Sequence, residues 1–106
     1  MITIDQFKTV ELRVATVTSA EAHPNADRLV VLKVDLGSEQ RQIVAGIKKH
    51  YDVTTLVGTQ VVVVANLEPV TLRGVESQGM LLAASHEETL VVLRPDKPIA
   101  AGATVR

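Results

Sequence analysis

The run Gln60-Val-Val-Val-Val-Ala-Asn66 constrains this chain more than any other stretch. Branching at Cβ stiffens each valine and suits it to a pleated surface, so Gln60–Asn66 is expected to be a strand. Four successive valines put apolar side chains on both of its faces, which implies burial on both sides. Further short runs rich in valine, threonine and isoleucine lie on either side, separated by turn residues, and the whole reads as all-β.

Val10–Ser19 is a first strand with Val10, Leu12 and Val14 on one face. His23-Pro-Asn-Ala-Asp27 is a loop, because proline blocks pairing and Asn and Asp favour turns. Arg28–Leu36 forms a second strand, Gly37-Ser38 turns it, and Gln40–Ala45 returns as a third in a hairpin. Gly46–Tyr51 breaks the pattern and starts a short helical turn ending near Gly58. After Gln60–Asn66, Leu67-Glu68-Pro69 ends the strand. A ribbon around Thr71–Arg73, a strand Met80–Ala84, a turn at Glu87-Glu88 and a strand Leu90–Leu93 follow, and Pro95–Gly102 is an extended tail. Three strands, a short helix and two more strands is the order of a five-stranded oligonucleotide/oligosaccharide-binding (OB) barrel, and of any Greek-key barrel of that size.

The chain has 106 residues and 46% hydrophobic residues, the size and composition of one domain, residues 1–106, with a real core. It has no cysteine, which excludes disulfides and cysteine-ligated zinc and permits a cytoplasmic location. No basic region followed by a long apolar run opens the chain, so no signal peptide is expected. The longest apolar run, Val61–Ala65, is far too short for a membrane-spanning helix.

Catalytic patterns are missing. His23, His50 and His86 stand in no metal-ligand spacing and read as surface or turn residues. Gly74-Val-Glu-Ser77-Gln-Gly79 has one residue too many between glycine and serine for a hydrolase nucleophile elbow. The glycines form no phosphate-cradling loop, and Glu87-Glu88 reads as a solvated turn. No enzyme, metal or cofactor is expected from the residues.

The formal charge of −1, from 11 Lys+Arg against 12 Asp+Glu, argues against a nucleic-acid partner until its distribution is considered. Residues 28–75 hold Arg28, Lys33, Arg41, Lys48, Lys49 and Arg73 against Asp35, Glu39, Asp52 and Glu68, a local excess of bases. Phe7 and Tyr51 are the only aromatics, a poor supply of stacking platforms for extended single strands. Any RNA partner would therefore be read by shape, phosphates and 2′-hydroxyls.

Phe7-Lys-Thr-Val-Glu-Leu-Arg-Val-Ala15, His23-Pro-Asn-Ala-Asp-Arg-Leu29, Arg41-Gln-Ile-Val-Ala-Gly-Ile47, Val64-Ala-Asn-Leu-Glu-Pro69 and Arg73-Gly-Val-Glu-Ser-Gln-Gly-Met-Leu-Leu-Ala83 resemble, in this order, the tRNA-binding domain family. That family includes the C-terminal appendix of bacterial methionyl-tRNA synthetases, small stand-alone tRNA-binding proteins, and domains of eukaryotic synthetase-associated cofactors and cytokines. The resemblance runs from Ile4 to the final Gly102-Ala-Thr-Val-Arg106. It implies an OB barrel with added N- and C-terminal segments that pair two subunits, and a grip on folded tRNA that reads no single anticodon. Ile4, Phe7, Ile99 and Val105 are the interface candidates, since exposed apolar ends gain by burial against a copy of the chain. The alternative is that these ends fold back on their own barrel.

Lys33 interrupts an apolar row with Leu29 and Val31, as a snorkelling edge residue or part of a binding face. With Arg41, Lys48 and Lys49 it would make a positive groove, although Lys48 and Lys49 also fit a solvated turn. Asn66 either caps a turn or offers a donor and an acceptor to RNA. Arg73 brings a planar fork for phosphate, Ser77 a hydroxyl, and Met80 a surface for a base or a core side chain. Arg28 is the only base in His23–Leu29, where the family often carries further lysines, and together with the near-neutral charge this implies modest affinity. A module tethered to a synthetase catalytic domain tolerates weak binding, which favours the appendix over a stand-alone tRNA-binding protein. A chaperone-like or other protein-interaction barrel, and a dimerisation domain without RNA contact, are the competing readings.

Overall fold

The computed structural model describes all 106 residues. In chain order the elements are α1 (Ile4–Phe7), β1 (Leu12–Ala22), β2 (Val30–Asp35), β3 (Gln40–Ala45), a 3-10 turn (Val53–Thr55), β4 (Gln60–Val64), β5 (Val70–Leu72), β6 (Val75–Ser77), β7 (Met80–Leu81), β8 (Ala83–His86), β9 (Thr89–Val92) and β10 (Thr104–Val105).

The barrel is organised on β1, whose two halves serve different neighbours. Its N-terminal half pairs with β4, from Leu12↔Val64 to Thr16↔Gln60, and its C-terminal half with β2, from Thr16↔Asp35 to Ala22↔Val30. The register shifts between Val17 and Ser19, and Thr18 at the shift donates its hydroxyl to the Lys33 carbonyl at 3.1 Å. Such a bulge bends and twists a strand, which lets β1 turn from one half of the barrel into the other. The complete order is β3-β2-β1-β4-β7, all antiparallel, with β10 added on β1.

Side chains close the barrel where backbone pairing runs out. Between β3 and the Ser77–Gln78 segment, the Gln78 amide donates to the Gln42 carbonyl at 2.8 Å. The Gln42 amide donates to Gln78 Oε1 at 3.0 Å, and the Val44 amide to Ser77 Oγ at 2.9 Å. These bonds satisfy strand-edge donors that would otherwise be buried without partners.

Alternation fills the interior: Ala15 and Val17 of β1, Val30, Leu32 and Val34 of β2, Ile43 and Ala45 of β3, and Val61 and Val63 of β4 face the core cluster. Val64 and Val14 are also buried but lie outside that cluster. The C-terminal segment runs beside Val14, whose amide donates to Ala103 O at 2.9 Å and whose carbonyl accepts from Gly102 at 2.7 Å. The valine-rich strand is thus buried on both faces, except at half-buried Val62.

Several expected boundaries move. The first strand starts at Leu12 and extends to Ala22, because Thr9–Glu11 is tied to Asn66 instead. The helical turn falls at Val53–Thr55, where Asp52 caps it through the Thr54 amide. The expected strand Met80–Ala84 is split: Met80 and Leu81 stay on β4, while Ala83 leaves with β8 to form a separate hairpin with β9. Residues 4–7 form a helical turn with a Thr3/Gln6 capping box and no buried side chain. The Pro95–Gly102 tail ends in a strand the sequence pattern did not reveal, β10.

Candidate nucleic-acid interface

Register decides which polar residues share a surface. Ser19, Lys33 and Gln42 are cross-strand partners on β1, β2 and β3, and Thr16, Asp35 and Gln40 form the next row. Both rows alternate with core-facing residues and so point out of the barrel. Lys33 is exposed in the middle of this face. Gln40, Gln42 and Gln78 join it around an open recess of about 230 Å³. None of the three glutamines was expected at the site from the sequence; the two-residue spacing of Gln40 and Gln42 is the signal that could have found an outward pair, whereas Gln78 arrives from another segment and carries no such signal.

Arg41 stands opposite Val34, on the side that lines the core, and not beside Lys33. Its guanidinium is half-buried at the barrel rim, paired with Glu39 and donating to the Ala65 carbonyl, with Gln78 O at 3.4 Å. The side chain therefore braces β3 against the end of β4 and the closing segment. Arg41 nevertheless lines the same recess as Lys33.

A second group of bases meets at the far end of β2. The His23 amide donates to Leu29 O at 3.0 Å and closes the His23–Leu29 loop, and Lys48 donates its amide to Arg28 O at 3.3 Å. His23, expected as a surface or turn residue, lies in the loop but is buried, and its Nε2 bonds the Leu72 carbonyl at 2.9 Å. That bond brings the β5–β6 hairpin to the same loop. Leu72 pairs with Val75, so Arg73 and Gly74 form a two-residue tip, and both have positive φ, 52° and 87°. This is the backbone of a type I′ turn, in which Asn-Gly or Gly-Gly is the ordinary choice. Arg73 is exposed at the tip. Arg28, Lys48 and Arg73 are thus collected at one end by hydrogen bonds that tie their segments together. Lys49 departs from them, lining a recess with His50, Glu87 and Glu88, where two carboxylates oppose a phosphate.

Ser77 and Asn66 have inward commitments. Ser77 is buried, accepts from the Val44 amide and donates to Gly79 O at 3.1 Å, so it is a closing element of the barrel and has no free surface for RNA. Asn66 is exposed, but Oδ1 accepts from the Glu11 amide at 2.8 Å and Nδ2 donates to Thr9 O at 2.7 Å. It clamps the segment leading from α1 into β1. Met80, opposite Val64, is 48% exposed and is no core side chain.

At the termini, Ile4, Phe7 and Ile99 leave large apolar surface in solvent, at 65%, 36% and 52% exposure. Val105 is half-buried opposite Leu12. The tail backbone does fold back on its own barrel: Gln60 holds Ile99 with a 2.6 Å bond to its carbonyl and a 3.0 Å bond from its amide. Its apolar side chain nevertheless remains outside.

No group of three His, Asp or Glu side chains is placed to hold a metal ion, and no helix is long and apolar enough to cross a membrane. The sequence profile of the family described as "Putative tRNA binding domain" matches residues 12–104. A methionine--tRNA ligase of Thermococcus kodakarensis is 54% identical over 105 residues, covering 99% of this chain and 14% of the ligase. One of Methanothrix thermoacetophila is 57% identical over 106 residues, covering 100% and 16%. This chain therefore corresponds to about a seventh of these relatives, and their catalytic part lies outside it. Among solved structures, a MetRS-related protein from Pyrococcus horikoshii superposes with a TM-score of 0.95 at 34% identity, covering 100% of this chain and 98% of that one. The chaperone CsaA of Bacillus anthracis superposes at 0.91 and 31%, covering 100% and 99%.

Proposed function

The chain belongs to the tRNA-binding domain family, and from that premise we propose that it grips folded tRNA with the outer face around Lys33 and the basic end formed by Arg28, Lys48 and Arg73. The observation that carries the assignment of residues is the placement of Lys33 at the centre of an outward polar face flanked by a finger with an arginine at its tip. The Lys33 ammonium, the Arg73 fork and the side-chain amides of Gln40 and Gln78 offer donors to phosphate and 2′-hydroxyl oxygens, with Asp35 the carboxylate of the same face. Two buried or committed groups, Ser77 and Arg41, act by holding the barrel closed beneath the RNA. Asn66 holds the N-terminal segment, and Met80, opposite Val64, offers an exposed apolar side chain.

The chain acts as one domain, supplementing the tRNA contacts of a synthetase catalytic domain in the same polypeptide. It pairs with a second copy through the terminal segments. A single helical turn has no stability of its own in water, and α1 buries none of its side chains. Ile4 and Phe7, three residues apart on one face, gain cover against a partner, as does Ile99. Ile4→Asp is expected to convert a sedimenting dimer into monomer without loss of β-sheet circular dichroism.

A second reading has support from Leu67, Val70 and Met80, which are exposed apolar residues, and from the fold shared with CsaA. It makes the chain a polypeptide-binding barrel. The two separate on a titration with bulk tRNA: the RNA reading expects Lys33→Ala to weaken binding and Lys97→Ala, in the C-terminal tail, to leave it unchanged. Equal effects of the two substitutions would contradict the assigned face.

A further inference from the structure

The His23-Pro-Asn-Ala-Asp27 loop contributes no side chain to the proposed RNA surface, yet its histidine is buried to 4% exposure and makes two directed bonds. Nδ1 accepts from the Asn25 amide at 2.9 Å, which places the ring hydrogen on Nε2. Nε2 therefore donates, and its acceptor is the carbonyl of Leu72 at 2.9 Å. That carbonyl belongs to the peptide group immediately before Arg73. Rotation of this peptide changes ψ of Leu72 and φ of Arg73, so a bond that holds the carbonyl restrains φ of Arg73.

Arg73 needs such a hold. Its φ of 52° lies in the left-handed region, which costs a side-chain-bearing L-residue roughly 1–2 kcal/mol. A Cβ on the neighbouring Gly74 would meet nothing within 4 Å, so the tip stands clear of the barrel there. The hairpin is secured on its other strand by β3, where Gln42 Nε2 donates to Glu76 O at 2.8 Å and the Val44 amide to Ser77 Oγ. On β5, Leu72 is paired with Val75 across the turn, and the side chain of His23 adds a second, lateral tether on its carbonyl.

We propose that His23 is a positioning residue for Arg73: by donating to the Leu72 carbonyl it holds the finger tip in its left-handed conformation and aims the guanidinium at the RNA backbone. This rests on the reading that Arg73 touches RNA, so the test has one arm with RNA and one without.

In the first arm, amide exchange of Val75, the residue paired with Leu72 across the tip, is followed in the free protein. Glutamine carries an amide nitrogen at the reach of Nε2 and asparagine an oxygen at the reach of Nδ1. His23→Gln is expected to keep the wild-type exchange of the Val75 amide, whereas His23→Asn and His23→Ala accelerate it about tenfold. Equal exchange in His23→Gln and His23→Asn overturns the tether. In the second arm, tRNA affinity is measured across salt concentrations for the wild type, His23→Asn, His23→Gln, Arg73→Ala and His23→Asn/Arg73→Ala. His23→Asn is expected to lose about as much affinity as Arg73→Ala, roughly fivefold, and to lower the salt slope by about one phosphate contact, although the imidazole touches no phosphate. The double substitution is expected to be no worse than Arg73→Ala, and His23→Gln to bind as the wild type. Additive losses, or a loss of affinity with an unchanged salt slope, overturn the proposal. If the wild type binds no tRNA, the RNA reading fails, and the exchange arm still decides whether His23 holds the tip.

Discussion

Gly37 and Gly102 lock the β2–β3 turn to the C-terminal tail by backbone contact. A Cβ on Gly102 would lie 2.2 Å from the Leu36 carbonyl oxygen, and a Cβ on Gly37 2.6 Å from that of Ala101. Both residues also have positive φ, 89° and 86°. Gly102→Ala is therefore expected to cost about 3 kcal/mol, combining left-handed strain with a clash against backbone that cannot step aside. Gly58→Ala is the control: φ is 87° but nothing lies within 4 Å, so only the roughly 1–2 kcal/mol of conformational cost applies. Urea denaturation of the two variants checks the difference, and fast exchange of the Thr104 and Val105 amides would locate the damage in β10.

Ser77 is expected to behave as part of the barrel. Ser77→Ala removes the acceptor of the buried Val44 amide and leaves that donor unsatisfied, at a cost of about 1–3 kcal/mol. Below the unfolding transition its tRNA salt slope should match the wild type, because no phosphate contact is lost. Chemical denaturation and salt-dependent binding on the same protein separate the two effects.

Arg73→Asn should raise stability and lower affinity together. Asparagine tolerates the left-handed region and forms with Gly74 the Asn-Gly pair favoured in type I′ turns, relieving about 1 kcal/mol. The guanidinium lost would weaken tRNA binding by roughly fivefold. A higher melting temperature with weaker binding is the expected outcome; unchanged affinity would remove Arg73 from the interface.

Much of the sheet was readable because its signals are local. Gln40–Ala45 was placed to the residue by a glycine turn before it and alternation within it. The valines of β4 announced two-sided burial for the same reason. Ser77, Asn66 and His23 were not readable in this way, because their partners Val44, Glu11 and Leu72 lie 33, 55 and 49 residues away. A hydroxyl, an amide and an imidazole in distinctive motifs look alike whether they face a ligand or close a seam. Arg41 and Lys33 looked like neighbours across a hairpin, and the Val34↔Arg41 register puts them on opposite faces. The residue types marked a polar groove, while the three-dimensional register decided which members line it.

Asp52 makes stability depend on acidity. Hydrogen bonds from the Thr54 amide and, next, the Thr54 hydroxyl hold its carboxyl below the usual value, against a smaller opposing effect of burial. Its charged form is thus favoured in the folded state. The contribution is complete above the unfolded carboxylate range, near 3.9, and is lost as pH falls through the lower folded value. The stability gap between wild type and Asp52→Asn, which keeps the cap without the charge, should be constant near neutrality and close below about pH 4. Urea midpoints across pH 2.5–7, a range of about 4.5 units, would show it.

The central claim is that the outer face around Lys33 holds folded tRNA, and its most direct test is binding of folded bulk tRNA against heat-unfolded RNA of the same length at two salt concentrations. The account predicts tighter binding to the folded RNA, weakening as salt rises, with Lys33→Ala lowering the salt slope by about one phosphate contact. Equal binding of the two RNAs, or an Lys33→Ala protein indistinguishable from the wild type at low salt, would contradict it.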